Sequence, residues 1–552
     1  METFGQDRNG TGPSPASTTA KATPQRIGRS AVDHDELDRA YEHPVERRLR
    51  TGLELVHSIT RLSLPMLLSY LGQASLTLVS TAFVGHWTNA ETLAAAGLGL
   101  ALVNISGNAL IVGFCSALDT LCANAYGSGH YAAVGLVALR GAFIQMLMVA
   151  PFVAILWNVL APQILAALVT PTTSATTLES ASGVAADSQT VALASILCRW
   201  YTSALIPLVL YEVLKRFLQA QGIVKPIIYV TLVAAAANIV FHLLLIPWLQ
   251  WGIQGAALAL ALSQWVLLGT LLLVMGKWRL GEQCWLVIGP NGIYETMQAD
   301  AGVGQVARFS YRSLAAELCR EWAPFLALAL PGTAWVLVEW GAFEVTLFMA
   351  ARLPLQPGDR SVADSVATQA VLMNAVYFCF MLPLSIHIGA SVQVGNLVGA
   401  GRAAAARLTA QVALVIAASA GVALAVLLNV FRQRWPFLLT NDEHIANRAA
   451  SAALFVALFE IQDCLQYTSV GILKAIGKQR VGAMASFAGF WAACIPLAAL
   501  FAFVLGLGVM GFWLGFALGE LFLALFYICY IALAVDWERE VLQALTRVAA
   551  ST

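Results

Sequence analysis

Four carboxyl side chains stand inside otherwise apolar stretches of this chain: Glu339 and Glu344 in one, Glu460 and Asp463 in another. A charge near the middle of a bilayer costs several kcal/mol, so acids placed there are candidates for function by default. Burial raises a carboxyl's pKa, a neighbouring carboxylate raises one member of a pair further, and a nearby cation lowers it. Such a group holds a proton or a cation but not both, which is the chemistry of exchange. At 100° per residue Glu460 and Asp463 share a helix face, about 60° apart, whereas Glu339 and Glu344 lie about 140° apart. One of the latter is expected to face a cavity and the other the interior of its own bundle.

Uncharged polar groups form a second tier. Gln73, Asn238 and Asn374 stand at comparable depth, where each either meets a solute or bonds across helices. Trp335, Trp340, Phe343 and Tyr377 offer aromatic faces to a cation, against the plainer reading of packing. His387 titrates near neutral pH if it is wet, and is a structural histidine if it is not. Asp119 reads as the partner of a base at a helix end. Lys215, Arg216, Lys225, Lys474, Lys478 and Arg480 read as anchors to lipid headgroups.

The elements that position these groups follow from composition. The 552 residues are 59% hydrophobic and 11% charged, against about 25% charged in a soluble globular chain. Most of the chain cannot face water, which excludes a soluble enzyme, a disulfide-rich secreted module and a nucleic-acid binder. The formal net charge is +0, so no overall field selects an acidic or basic partner. Residues 226–276 contain no Lys, Arg, Asp or Glu. One helix of that length would reach about 76 Å, far beyond a hydrocarbon core of roughly 30 Å. The segment is therefore two spans, broken at Pro247-Trp248 through Trp251-Gly252.

The same reasoning yields an all-α polytopic membrane protein of twelve transmembrane helices. They run over about 62–85, 93–123, 132–159, 191–215, 225–247, 254–276, 323–350, 365–395, 406–430, 446–473, 481–505 and 509–535. Residues 1–58 read as a disordered cytosolic tail without a signal peptide. Residues 59–276 form an N-lobe and 323–535 a C-lobe. A cytosolic linker, 277–322, joins them, and 536–552 form a cytosolic C-terminal tail. An even number of spans puts both termini on one side, and the bias of basic residues makes that side the cytosol. The nine cysteines show no metal spacing and read as small buried hydrophobes.

The halves repeat. Asn124-Ala-Tyr-Gly127 matches Asn396-Leu-Val-Gly399 at offset 272, Leu218 to Gly222 matches Leu473 to Gly477 at offset 255, and Gly252 to Gly255 matches Gly508 to Gly511 at offset 256. The drop in offset assigns about 17 extra residues to the first half, in the polar stretch 170–190, read as an external loop. Two parallel, pseudo-symmetric six-helix lobes place a solute path between them, with access alternating by rocking.

These stretches resemble the multidrug and toxic compound extrusion (MATE) family, eukaryotic branch. The resemblance rests on Leu64-Pro65 through His86, Ala117 through Gly127, Phe217 through Pro226, Glu339-Trp340 with Phe343-Glu344, Ala390 through Gly401, and Asp463 through Gln479. It implies an antiporter that exports organic cations, xenobiotics or other amphiphiles in exchange for protons, or less commonly sodium. It assigns proton coupling to Glu339 and Asp463 and contact with the substrate cation to Glu344; Gln73, Asn238, Asn374, Trp340 and Tyr377 join the expected substrate contacts from their depth and chemistry, not from the resemblance. The chain departs from the family at Asn124, often Gln, and at Asn374, where animal members carry Glu. No cofactor, metal ligand set or nucleic-acid partner is expected. The partners are the solute and the bilayer, the protein is read as a monomer, and its membrane as plasma or vacuolar. A GxxxxGK[ST] phosphate loop and HExxH are absent, so the driving energy is a gradient and the chain is not an enzyme. A rival, a flippase for lipid-linked oligosaccharides, would need a basic cavity, whereas the intramembrane charges read from the sequence are acidic.

Overall fold

The computed structural model describes residues 44–169, 179–284, 286–289, 292–295, 308–309, 318–354, 362–440 and 442–551. Twelve helices in it are long and apolar enough to cross a membrane. They are α1 (Gly52–Trp87), α2 (Glu91–Gly127), α3 (Tyr131–Ala167), α4 (Ser188–Ala220), α5 (Lys225–Trp248) and α6 (Gly252–Lys277). The second half repeats them as α7 (Trp322–Ala350), α8 (Asp364–Gly399), α9 (Ala403–Val430), α10 (Glu443–Ala475), α11 (Gln479–Val504) and α12 (Val509–Ala534). Each half forms its own apolar core. Phe114, Trp157 and Phe217 anchor the first, and Phe459, Phe512 and Phe516 the second.

The break inside 226–276 falls where the Pro and Gly residues require it. The last turn of α5 loosens over Leu244–Trp248, and Gln250 in the break and Gly252 at the first position of α6 adopt positive φ. Elsewhere the helices extend further than hydropathy alone indicates. The 170–190 stretch is not wholly a loop, because its helix runs from Glu179 into α4; residues 170–178 lie outside the described part. The linker carries three short antiparallel strands, Leu286–Gly289, Gly292–Glu295 and Arg308–Phe309. The C-terminal stretch, read as a tail, forms helix α13 (Trp537–Ser551). It docks through buried Trp537, Ala544 and Val548. Its Glu540 pairs with Lys478 at 2.7 Å, and Arg547 Nη2 donates to the Ile476 carbonyl at 3.2 Å. Residues 1–43 lie outside the described part.

The lobes meet along α2, which packs on α7, α8 and α10. At one end the two repeat motifs cross. A Cβ added at Gly127 would overlap the Asn396 carbonyl, and one at Gly399 would overlap the Asn124 carbonyl. The repeat seen in the sequence is thus a reciprocal backbone contact between lobes. Deeper in, Gly113 faces Thr333 and Gly332 faces Ser116. Thr120 Oγ1 donates to the Lys474 carbonyl, and Gln479 Nε2 donates to Thr120 Oγ1 at 2.7 Å.

Candidate functional site

Three helices of the second lobe carry the acids inward. Glu339 on α7, Glu460 and Asp463 on α10 and Glu520 on α12 are all buried, at 4%, 0%, 2% and 0% exposure. The same helices supply much of this lobe's apolar core, including Trp335, Phe459 and Phe516. Glu339 lies within electrostatic reach of Asp463, and Glu460 and Glu520 also act on Asp463 or are acted on by it. Among the described residues, neither carboxyl oxygen of Glu460 or of Glu520 has a hydrogen-bond partner. A sealed carboxyl with no donor to hold its charge is a poor permanent anion, so the cluster is suited to holding protons.

Glu339, Glu344 and Asp463 open together onto a cavity of about 230 Å³. Trp340, Phe343, Tyr377, Phe380 and Phe459 wall it, and Asn104 and Asn108 of the first lobe close it. The expectation that Glu339 and Glu344 part ways holds only in degree. Both line one cavity, but Glu339 is buried beside Asp463 whereas Glu344 is half-buried. The ring of Phe343 is also held in the core by Phe459, Phe490 and Phe516, with centroids 5.8, 5.9 and 5.2 Å away.

A second cavity of about 200 Å³ adjoins the first and shares Asn104, Asn108, Trp340, Tyr377 and Phe380 with it. Gln73 lines it and donates to Tyr211 Oη at 3.0 Å. His387 lines it with one ring face against Tyr467, its Nδ1 2.9 Å from the Tyr467 carbonyl. This cavity also holds Glu212, Lys215, Arg216 and Lys474. Lys215, Arg216 and Lys474 are not headgroup anchors: they are 2%, 6% and 4% exposed. Lys215 pairs with Glu212, and Arg216 with Asp119 at 3.0 Å. The pairing expected for Asp119 is present, but in the interior. The premise that the intramembrane charges are purely acidic is therefore corrected, because these cations are drawn inward by carboxylates and aromatic rings rather than outward to water.

Two proposed substrate contacts lie elsewhere. Asn238 is fully buried inside the first lobe, where its Nδ2 donates to Ser263 Oγ at 2.9 Å, away from both cavities. Asn374 is exposed, and its Nδ2 returns to the Ala370 carbonyl at 2.8 Å. Trp335 is buried outside the cavities, whereas Trp340 and Tyr377 face both. Sequence reasoning passed over Glu520, Glu212 and the Asn104–Asn108 pair, joined at 2.7 Å. Glu520 carried the same signal as the others, a lone acid in an apolar span. Outside the spans, burial pushes the Cys284 thiol up to about 12, so it behaves as a small hydrophobe.

The MatE family model matches residues 65–244 and 333–500 of the chain. Multidrug and toxin extrusion protein 1 of Danio rerio is 27% identical over 489 residues, spanning 89% of this chain and 74% of that protein. Protein DETOXIFICATION 8 of Arabidopsis thaliana is 25% identical over 498 residues, spanning 90% of this chain and 91% of that one. The crystal structure of the eukaryotic MATE transporter AtDTX14 superposes with a TM-score of 0.75 at 21% identity, over 90% of this chain and all of that one. That likeness is one of fold.

Proposed function

The chain belongs to the MatE family of multi-pass membrane transporters, and on that premise we propose that it exports organic cations or related xenobiotics in exchange for protons. The observation that carries the reading is the meeting of Glu339 and Asp463, both nearly sealed from solvent, on one aromatic-walled cavity. A cation entering that cavity meets the faces of Trp340 and Tyr377 and the carboxyl of Glu344. Its charge favours the ionised form of Glu339 and Asp463, so solute binding releases protons and proton binding releases solute. Access alternates as the lobes rock about α2, with both termini in the cytosol and the protein in the plasma or a vacuolar membrane.

The division between the two glutamates tests the coupling. Glu339→Gln removes a proton carrier, so its solute affinity should respond little to pH between about 5 and 8. Glu344→Gln removes a cation contact, so it should bind more weakly yet still lose affinity as pH falls. Binding of a fluorescent cation to purified variants across that range decides the matter. Identical profiles in the two variants sink the division of roles, and a wild-type profile in both removes α7 from coupling. Uptake into proteoliposomes under imposed pH or sodium gradients separates proton from sodium exchange.

A further inference from the structure

The basic cavity has one cation too many. Lys215 and Arg216 are each matched by a carboxylate, Glu212 and Asp119. Lys474 is not. Its ammonium lines the cavity at 4% exposure, with no ion-pair partner and no hydrogen-bond acceptor among the described residues. It lies over the ring of Trp335, 5.8 Å from the centroid. Asp119, already engaged with Arg216, and Glu339 act on it electrostatically without forming an ion pair with it. Across the same cavity the Tyr70 hydroxyl, on a residue 6% exposed, also lacks a partner. Two donors without a partner among the described residues, one of them charged, thus belong to residues that line one cavity. An interior ammonium without a counterion is costly, and a bound anion removes the cost.

We propose that Lys474 and Tyr70 form an oxyanion-recognising subsite for the carboxylate, or a similar anionic group, of an amphoteric solute. The cationic part of the same solute lies through the shared wall of Trp340, Tyr377 and Phe380, against Glu344. This rests on the cation-export reading above and extends it, since the paired cavities then select solutes bearing both charges. A charge-assisted hydrogen bond in a desolvated site is worth about tenfold in affinity or more.

The test uses rhodamine 110, a zwitterion, and its methyl ester rhodamine 123, a cation of nearly the same shape. Binding of each to purified protein in detergent is measured by fluorescence polarisation, together with each variant's melting temperature. Wild type should bind the free acid at least about tenfold more tightly than the ester. Lys474→Gln should bring the ratio to about one, Lys474→Arg should keep most of the preference, and Tyr70→Phe should reduce it with the ring retained. A wild type that does not prefer the acid, or a Lys474→Gln variant that melts normally and keeps the preference, overturns the subsite while leaving the cation site intact. Binding of neither dye to wild type sinks both readings. If chloride or phosphate strengthens rhodamine 123 binding in wild type but not in Lys474→Gln, the subsite takes a free anion, and its assignment to a carboxylate on the solute is wrong.

Discussion

Asp463→Asn should lower gradient-driven transport by at least about 100-fold while leaving the folded protein intact. Asparagine has nearly the volume of aspartate, so α10 keeps its packing against α8, α9 and α12. What is lost is a proton that can leave. Asp463 is 2% exposed, lines the acidic cavity and is electrostatically tied to Glu339, Glu460 and Glu520. It is the one member of α10 that belongs both to the buried cluster and to the cavity wall, because Glu460 does not reach the cavity. A purely structural acid would behave otherwise. An asparagine could replace a neutral, hydrogen-bonded carboxyl at little cost to stability, and transport would survive. Uptake of a fluorescent cation into proteoliposomes, alongside a melting curve, separates the cases. Normal transport in a variant of normal stability removes Asp463 from the mechanism.

The sequence made some of this site legible and hid the rest for a physical reason. Acids in apolar spans announce themselves, because nothing in a hydrocarbon environment tolerates them idly. Glu339, Glu344 and Asp463 were readable on that ground and meet on one cavity. The twelve helices were readable from runs without charge, and their ends were not, since α4 begins inside a polar stretch and α13 inside an apparent tail. The basic residues misled. Lys215, Arg216 and Lys474 sit near helix ends, where local rules assign them to headgroups. Their true partners are set by tertiary contacts that no local pattern records. Asp119 reaches Arg216 across 97 residues of sequence, and the Trp335 ring beneath Lys474 comes from another helix of the same lobe, 139 residues earlier in the chain. Asn238 failed similarly, because its amide is taken up by Ser263 on the neighbouring helix.

Gly127→Ala and Gly399→Ala should each shift the protein away from the state seen here, toward one in which this end of the lobe interface is open. The two glycines close α2 and α8, and each packs on the backbone of the other's motif, so neither position has room for a methyl group. Overpacking of this kind costs about 1–3 kcal/mol. Because the strain exists only while the lobes touch here, rocking apart relieves it. The open population should therefore rise by about 5- to 150-fold, the same energy expressed as an equilibrium constant. The reciprocal geometry gives a sharper expectation. Either methyl group opens the same crossing, so the double variant should exceed the stronger single one by much less than the sum of the two effects. Spin labels at His130 and Arg402, both exposed and flanking the crossing from opposite lobes, report the separation directly. A longer-distance population should grow in each variant while transport slows. An unchanged distance distribution with a lowered melting temperature would make the crossing a packing contact and not a gate.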